Sequence, residues 1–266
     1  MEISSTQNQR VKDAARLREK RGRQTQSRFI IDGGREILRA INSGWEIEEL
    51  FVCPDWCERD DRQEFLQQLG EISQRIDVST DVMEKLSFGQ RQEGMVATAR
   101  YKPIPNVTDL ASSSTLVAVL EGIEKPGNLG ALMRSADATG VDAIILADAH
   151  TDIFNPNAIR ASAGTVFSVP IYSGTSTDVL DELEKRNFQI LATQVTATVT
   201  YTDADLTKPT AIALGTEATG LSDHWIDDRV ESIKLPMNGI ADSLNVSATA
   251  TVLFYEALRQ RRCSTT

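Results

Sequence analysis

Residues 235–261 read LPMNGIADSLNVSATATVLFYEALRQR, and the order of side chains along them is unusual. A helix with an apolar run starts near Val246. Just before it stand Ser243 and Asn245 around a single Leu244, and a tight segment holding Pro236 and Gly239 lies upstream. The first amides of a helix have no partner within it, so one polar side chain there is explained by capping. Capping does not require both residues, nor Pro236, Met237 and Gly239. Two readings stand at this point: the polar residues cap the helix, or something binds at its N-terminus.

Working upstream, the second half of the chain alternates strand and helix. TLVAVLEGI (115–123), AIILAD (143–148), FQILATQV (188–195) and AIALGTE (211–217) read as strands, with VFSVPIY (166–172) as a further extended stretch. NLGALMRSADATG (128–140), NAIRASAG (157–164) and DVLDELEKRN (178–187) read as helices. Apolar runs without polar alternation are what a parallel sheet covered on both faces requires. The first half alternates too, from RFIIDGGREILRAINSGWEIEELFVC (28–53), read as strand, helix, strand, through DRQEFLQQLG (61–70), RIDVS (75–79) and DVMEKLSFG (81–89) to GMVATARY (94–101). This pattern predicts a small α/β domain. KPIPNVTDLASSS (102–114), rich in Pro and Ser, reads as the linker. The expected division is a basic arm over 1–28, a first domain over 29–101, a linker over 102–114 and a second domain over 115–266.

Composition narrows the function classes. The chain has 266 residues, 41% hydrophobic and 25% charged, which suits globular material in one or two domains. No apolar stretch reaches the ~18 residues of a membrane span, and the N-terminus lacks a signal-peptide core. The expectation is therefore a cytoplasmic protein with no membrane partner. Three cysteines form no disulfide framework. Cys53 and Cys57 in CPDWC would need two further metal ligands, and the two histidines, His150 and His224, lie far off, so no metal is expected. Net charge is −10, yet residues 1–28 hold eight Lys or Arg against three acidic residues. A basic arm on an acidic body is a local electrostatic footprint for nucleic acid, or else a solvated helix face.

The common nucleotide and hydrolase fingerprints, GxGxxG, GxxxxGK[ST], HExxH and GxSxG, are absent. Three glycine-punctuated segments at the C-terminal ends of predicted strands remain, which is where open α/β sheets bind ligands. In EGIEKPGNLGALMRSADATG (121–140), Asn128 is positioned to cap the helix that follows, and Arg134 falls about 240° round that helix from it. In LGTEATGLSD (214–223), Gly215 permits close backbone approach and Glu217 sits in the loop. The third segment is the one quoted first. Together they offer a pocket of backbone amides and apolar walls, better suited to an adenine and a sulfonium than to a pyrophosphate.

In order and spacing, NLGALMRSADATG, LGTEATGLS and LPMNGIADSLNVSATATVLFYEALRQR resemble the three motifs of the SpoU (TrmH-type) RNA ribose 2'-O-methyltransferases, members of the knotted SPOUT class. RFIIDGGREILRAINSG and RQEGMVATAR resemble the substrate-binding domain that precedes the catalytic one in many members. The resemblance implies a small N-terminal α/β RNA-binding domain and a SPOUT-type α/β domain with a parallel sheet and a C-terminal deep trefoil knot. It implies S-adenosylmethionine as cofactor, contacted by Thr193, Gly215, Leu235, Met237 and Leu244. The polar set of the family falls on Asn128, Arg134, Glu217, Ser243 and Asn245. It further implies an RNA partner, a homodimer and no metal. The front domain favours ribosomal over transfer RNA. Two rivals remain: an RNA-binding protein with a dead catalytic domain, and a nucleotide-dependent oxidoreductase.

Overall fold

The computed structural model describes residues 2–58, 60–69, 74–88, 93–148, 151–217 and 219–264, and the side chains of all these except 60 and 61. Gly70, Gly89, Arg91, Gln92 and Ala218, within stretches quoted above, and His150 lie outside the described residues. The chain divides into two units, one of residues 1–102 and 152–168, the other of 103–151 and 169–266.

In chain order the elements are β1 (Glu2–Ile3), α1 (Gln9–Arg16), α2 (Lys20–Gln26), β2 (Arg28–Asp32), α3 (Gly34–Asn42), β3 (Ile47–Val52), α4 (Asp60–Leu69), β4 (Arg75–Val78), α5 (Thr80–Leu86) and β5 (Met95–Arg100). The second unit begins with β6 (Leu116–Glu121), α6 (Pro126–Thr139) and β7 (Ala143–Ala147). Next, α7 (Pro156–Ala161) belongs to the first unit. The chain then runs through β8 (Ile171–Gly174), α8 (Ser176–Lys185), β9 (Gln189–Thr193), β10 (Val199–Thr200), β11 (Thr210–Leu214), β12 (Val230–Lys234) and α9 (Val246–Cys263).

The first unit is built on a mixed sheet of order β1-β4-β3-β5-β2. Its strands alternate, so neighbouring residues serve different faces. Ile30, Phe51 and Val96 pack with Val11, Ala14 and Leu17 of the α1 region and with Val82, Met83 and Leu86 of α5. Phe29 instead heads an aromatic cluster: its ring stacks on Phe154 at 4.5 Å and meets Trp45 at 5.5 Å and Phe167 at 5.9 Å. Residues 152–168, grouped by sequence pattern with the second half, fold here because Phe154 and Phe167 find aromatic partners on β2 and beside β3. Arg39 adds a hydrogen bond of 2.7 Å to the Ala163 carbonyl.

The basic arm is folded rather than extended. Arg10 pairs with Glu49 at 2.7 Å, Arg28 lies 3.3 Å from both Glu48 and Glu49, and Arg18 lies over the Phe88 ring. Arg23 is buried, donating to Asp152 at 2.6 and 2.8 Å and to the carbonyls of Leu17 and Arg18. Among the described residues, Lys12, Lys20 and Arg21 alone of the eight make no ion pair or hydrogen bond through their side chains; Arg16 pairs with Asp13. Four of the eight cations, Arg10, Arg16, Arg23 and Arg28, are therefore paired with carboxylates within the chain.

The second unit has a seven-stranded sheet of order β10-β12-β9-β11-β6-β7-β8, every pairing parallel. β6, β7 and β11 are buried along their whole length, as their apolar runs predict. Within the Pro- and Ser-rich stretch 102–114, Val107 and Leu110 are buried in this unit's core. Extended pairing begins at Ile171, because a 3₁₀ turn (Thr165–Phe167) occupies the start of VFSVPIY. β12, within VESIK, has no counterpart in the sequence reading: it is short and half-exposed. No described helix is long and apolar enough to cross a membrane.

Candidate active site

The strand order sets the site. From β6 the chain moves to β7 and β8 on one side, whereas β11, β9 and β12 lie on the other. Because all strands are parallel, the segments leaving β6, β9, β11 and β12 emerge at one edge, beside the point where the order reverses. A cavity of about 470 Å³ lies there. Thr193 to Thr196 from the end of β9, Leu214 to Glu217 and Thr219 to Leu221 from the end of β11, and Leu235, Met237, Asp242, Ser243 and Leu244 before α9 contribute to its lining. Thr193, Gly215, Leu235, Met237 and Leu244 all line it, as do Glu217 and Ser243.

Gly215 is required by steric crowding. A Cβ there would fall 2.1 Å from the Gly220 carbonyl carbon and 2.3 Å from the Leu221 nitrogen. The segment 216–220 closes on itself through Thr216 N to Gly220 O at 3.0 Å and Gly220 N to Thr216 O at 3.1 Å. Gly220 itself sits at φ +72°, where glycine is favoured. The close approach read from sequence is thus made by the protein's own backbone.

Beside the cavity Glu217 joins three segments. Its Oε1 accepts from the Asn128 amide at 2.8 Å and from the Asn245 amide, while Oε2 pairs with the Lys125 ammonium. The Lys125 ammonium first, then the Asn128 amide, hold the Glu217 carboxyl below the usual carboxylate range. Asn245 also donates to Asn128 Oδ1 at 3.1 Å, and its own Oδ1 caps α9 by accepting from Ser247 N at 3.0 Å. Asn245 therefore does both things posed by the opening stretch: it caps the helix and reaches toward the site.

Asn128 does not cap α6. The helix begins two residues earlier, with Pro126 at its first position, where the missing N–H costs nothing. This leaves the Asn128 side chain free to meet Glu217. Ser243 is exposed and makes no hydrogen bond among the described residues. Arg134, exposed on α6, likewise has no partner among the described residues and does not line the cavity. The structure thus brings together Asn128, Glu217 and Asn245, sets Ser243 in the cavity wall and leaves Arg134 apart.

Lys125 was not singled out from sequence. Its partner Glu217 is 92 residues away, and only the parallel pairing of β6 with β11 brings the two loops together. Cys53 and Cys57 are buried, and burial pushes the Cys57 thiol up to about 11. Among the described residues no cluster of three or more His, Cys, Asp or Glu side chains could hold a metal.

Comparison with known proteins places these segments. Residues 115–255 match the SpoU rRNA Methylase family, and residues 8–97 match the MRM3-like substrate binding domain. The chain is 26% identical to the 23S rRNA (guanosine(2553)-2'-O)-methyltransferase RlmP of Bacillus subtilis (strain 168), over 96% of this chain and 98% of the relative. It is 30% identical to the 23S rRNA (guanosine-2'-O-)-methyltransferase RlmB of Bordetella pertussis, over 85% and 94%. The crystal structure of the SpoU methyltransferase AviRb from Streptomyces viridochromogenes with AdoMet superimposes with a TM-score of 0.84 at 26% identity, covering 96% of this chain and 99% of that one.

Proposed function

The chain belongs to the SpoU rRNA methylase family, and on that footing we propose that it transfers a methyl group from S-adenosylmethionine to a ribose 2'-hydroxyl of large-subunit ribosomal RNA. The observation that carries this reading is the cavity at the reversal of strand order, walled by backbone and apolar side chains and flanked by the Asn128–Glu217–Asn245 cluster. Its volume falls within the roughly 300–1,000 Å³ of small-molecule sites. Val195, Ile226 and Leu244 line it while 66%, 74% and 42% exposed, apolar surface that a bound adenosine would cover. The residues therefore fit the cofactor.

When bound, the cofactor supplies an electrophilic sulfonium methyl. The ribose oxygen would take that methyl as the C–S bond breaks, leaving S-adenosylhomocysteine, and its proton would pass to solvent water. Thr193, Gly215, Leu235, Met237 and Leu244 would hold the cofactor, largely through backbone. The polar cluster would orient the ribose, which is the larger part of what a reaction with so good a leaving group needs. In this role Glu217 stays ionised and fixes both asparagine amides. Ser243 would add a hydrogen bond from the cavity wall. Arg134, whose guanidinium carries donors and no acceptor, lies apart from this chain's cavity and would grip a phosphate oxygen pair of the RNA rather than act as a base. Arg134→Ala should lower the methylation rate several hundred-fold with cofactor affinity little changed, measured by single-turnover transfer and calorimetry; equal loss of both would make Arg134 structural.

The first unit and Lys12, Lys20 and Arg21 would supply sequence-independent RNA contacts. A homodimer, a trefoil knot formed by the segment before α9 and a cytoplasmic location complete the proposal. Exposed Ile240 and Tyr255 support the dimer as apolar surface awaiting cover. The test is methyl transfer from tritiated S-adenosylmethionine to deproteinised ribosomal RNA and, separately, to transfer RNA. Label in an alkali-resistant dinucleotide from ribosomal RNA alone is expected. Label confined to transfer RNA would overturn the substrate, and no cofactor binding would overturn the reaction.

A further inference from the structure

Glu121 ends β6 and is 8% exposed, yet it lies outside the cavity lining. A buried carboxylate is costly unless its oxygens are satisfied. Its Oε1 accepts from Ser176 Oγ at 2.8 Å and from Ser222 Oγ at 2.7 Å, and Oε2 accepts from Ser222 N at 2.7 Å. One carboxylate therefore joins the end of β6, the first turn of α8 and the segment that follows the cavity wall. Burial pushes the Glu121 carboxyl up, but the bonds from Ser222 and Ser176 outweigh it and hold the group below its ordinary range.

The Ser222 end of this link bears on the site. Ser222 directly follows Gly220 and Leu221, which line the cavity. On their other side the same two residues are pressed against Gly215, where there is no room for even a methyl group. The wall is thus held between Gly215 and Glu121, with little freedom between them. Ser176 attaches to the same oxygen from α8 but does not line the cavity.

We propose that Glu121 is a positioning residue for the cofactor: through Ser222 it sets the Gly220–Leu221 wall against which the cofactor binds. The inference rests on the reading that this cavity takes S-adenosylmethionine. It separates two hydroxyls that bond to one carboxylate oxygen, since only Ser222 adjoins in the chain the residues that form the wall.

The experiment compares full-length wild type, Ser222→Ala, Ser176→Ala and Glu121→Ala. Calorimetric binding of S-adenosylhomocysteine, thermal unfolding and steady-state methyl transfer are measured for each. Glu121→Ala and Ser222→Ala should weaken binding about tenfold, the scale of one charge-assisted hydrogen bond. They should raise the KM for S-adenosylmethionine while kcat stays within about twofold. Ser176→Ala should lower the melting temperature and leave binding unchanged. Should Glu121→Ala fail to fold, the pair of serine variants decides alone. Wild-type affinity in Ser222→Ala, or equal weakening in Ser176→Ala, overturns the inference while leaving the cofactor reading intact. Failure of the wild type itself to bind S-adenosylhomocysteine overturns both.

Discussion

At the scale of single residues, two positions have consequences out of proportion to their size. Gly215 has no space for a Cβ, since the nearest obstacle is Gly220 backbone rather than a flexible side chain. Gly215→Ala should therefore displace the 216–221 segment and abolish measurable S-adenosylhomocysteine binding, while far-ultraviolet circular dichroism stays that of the wild type. Retained affinity would show that the wall tolerates movement. Asp32 is the second. Burial pushes its carboxyl up to about 6, opposed by the Phe88 N–H and by Arg160, and aided by Glu93 and Glu36. Its ordinary value is 3.8, so the folded state binds the extra proton between those limits. A charged Asp32 then disfavours folding above about pH 6, and the penalty vanishes below about pH 4. Asp32→Asn should stabilise the protein by up to about 3 kcal/mol at about pH 7.5 and by nothing at about pH 4, read from denaturant unfolding. An equal gain at both would refute the assignment.

At the scale of elements, helix ends and strand ends decide what the side chains can do. Pro126 starts α6 early and Gly140, at φ +73°, stops it, so Asn128 falls inside the helix with its amide turned to Glu217. Asn245 at the start of α9 has one end of its amide for the cap and the other for the site. In the first unit the pair α1–α2 depends on Arg23. Its side chain is 1% exposed and bonds to Asp152 and to two carbonyls at the end of α1. Removing one member of a buried pair leaves the other uncompensated, at a cost of roughly 3–5 kcal/mol. Arg23→Ala should destabilise the protein by that amount, whereas Arg21→Ala, on an exposed side chain two positions away, should change stability by less than about 0.5 kcal/mol. Comparable losses from the two would mean that Arg23 is not an internal tie.

At the scale of the molecule, charge is distributed against its sum. The chain carries −10 overall, and pairing with carboxylates within the first unit takes up half of the arm's eight cations. RNA affinity should then depend on few cations. Lys20→Ala with Arg21→Ala should reduce the slope of log affinity against log salt by about 0.7 for each lost contact on single-stranded RNA. An unchanged slope in filter binding would remove this surface from the contact. Sequence alone determined the class of the second unit, because apolar runs on β6, β7 and β11 admit only a sheet covered on both faces. Its glycines and the proline-led loop marked the segments that border the cavity, whereas the individual cofactor residues followed only from the resemblance of those segments to the SpoU motifs. Tertiary structure alone decided that Glu217 meets Lys125, Asn128 and Asn245, that Arg23 is an internal tie rather than an RNA contact, and that residues 152–168 fold with the first unit. Each of these joins residues far apart in the chain. Side-chain periodicity records which face of an element is buried but not which partner covers it, and that partner is chosen by strand order and packing.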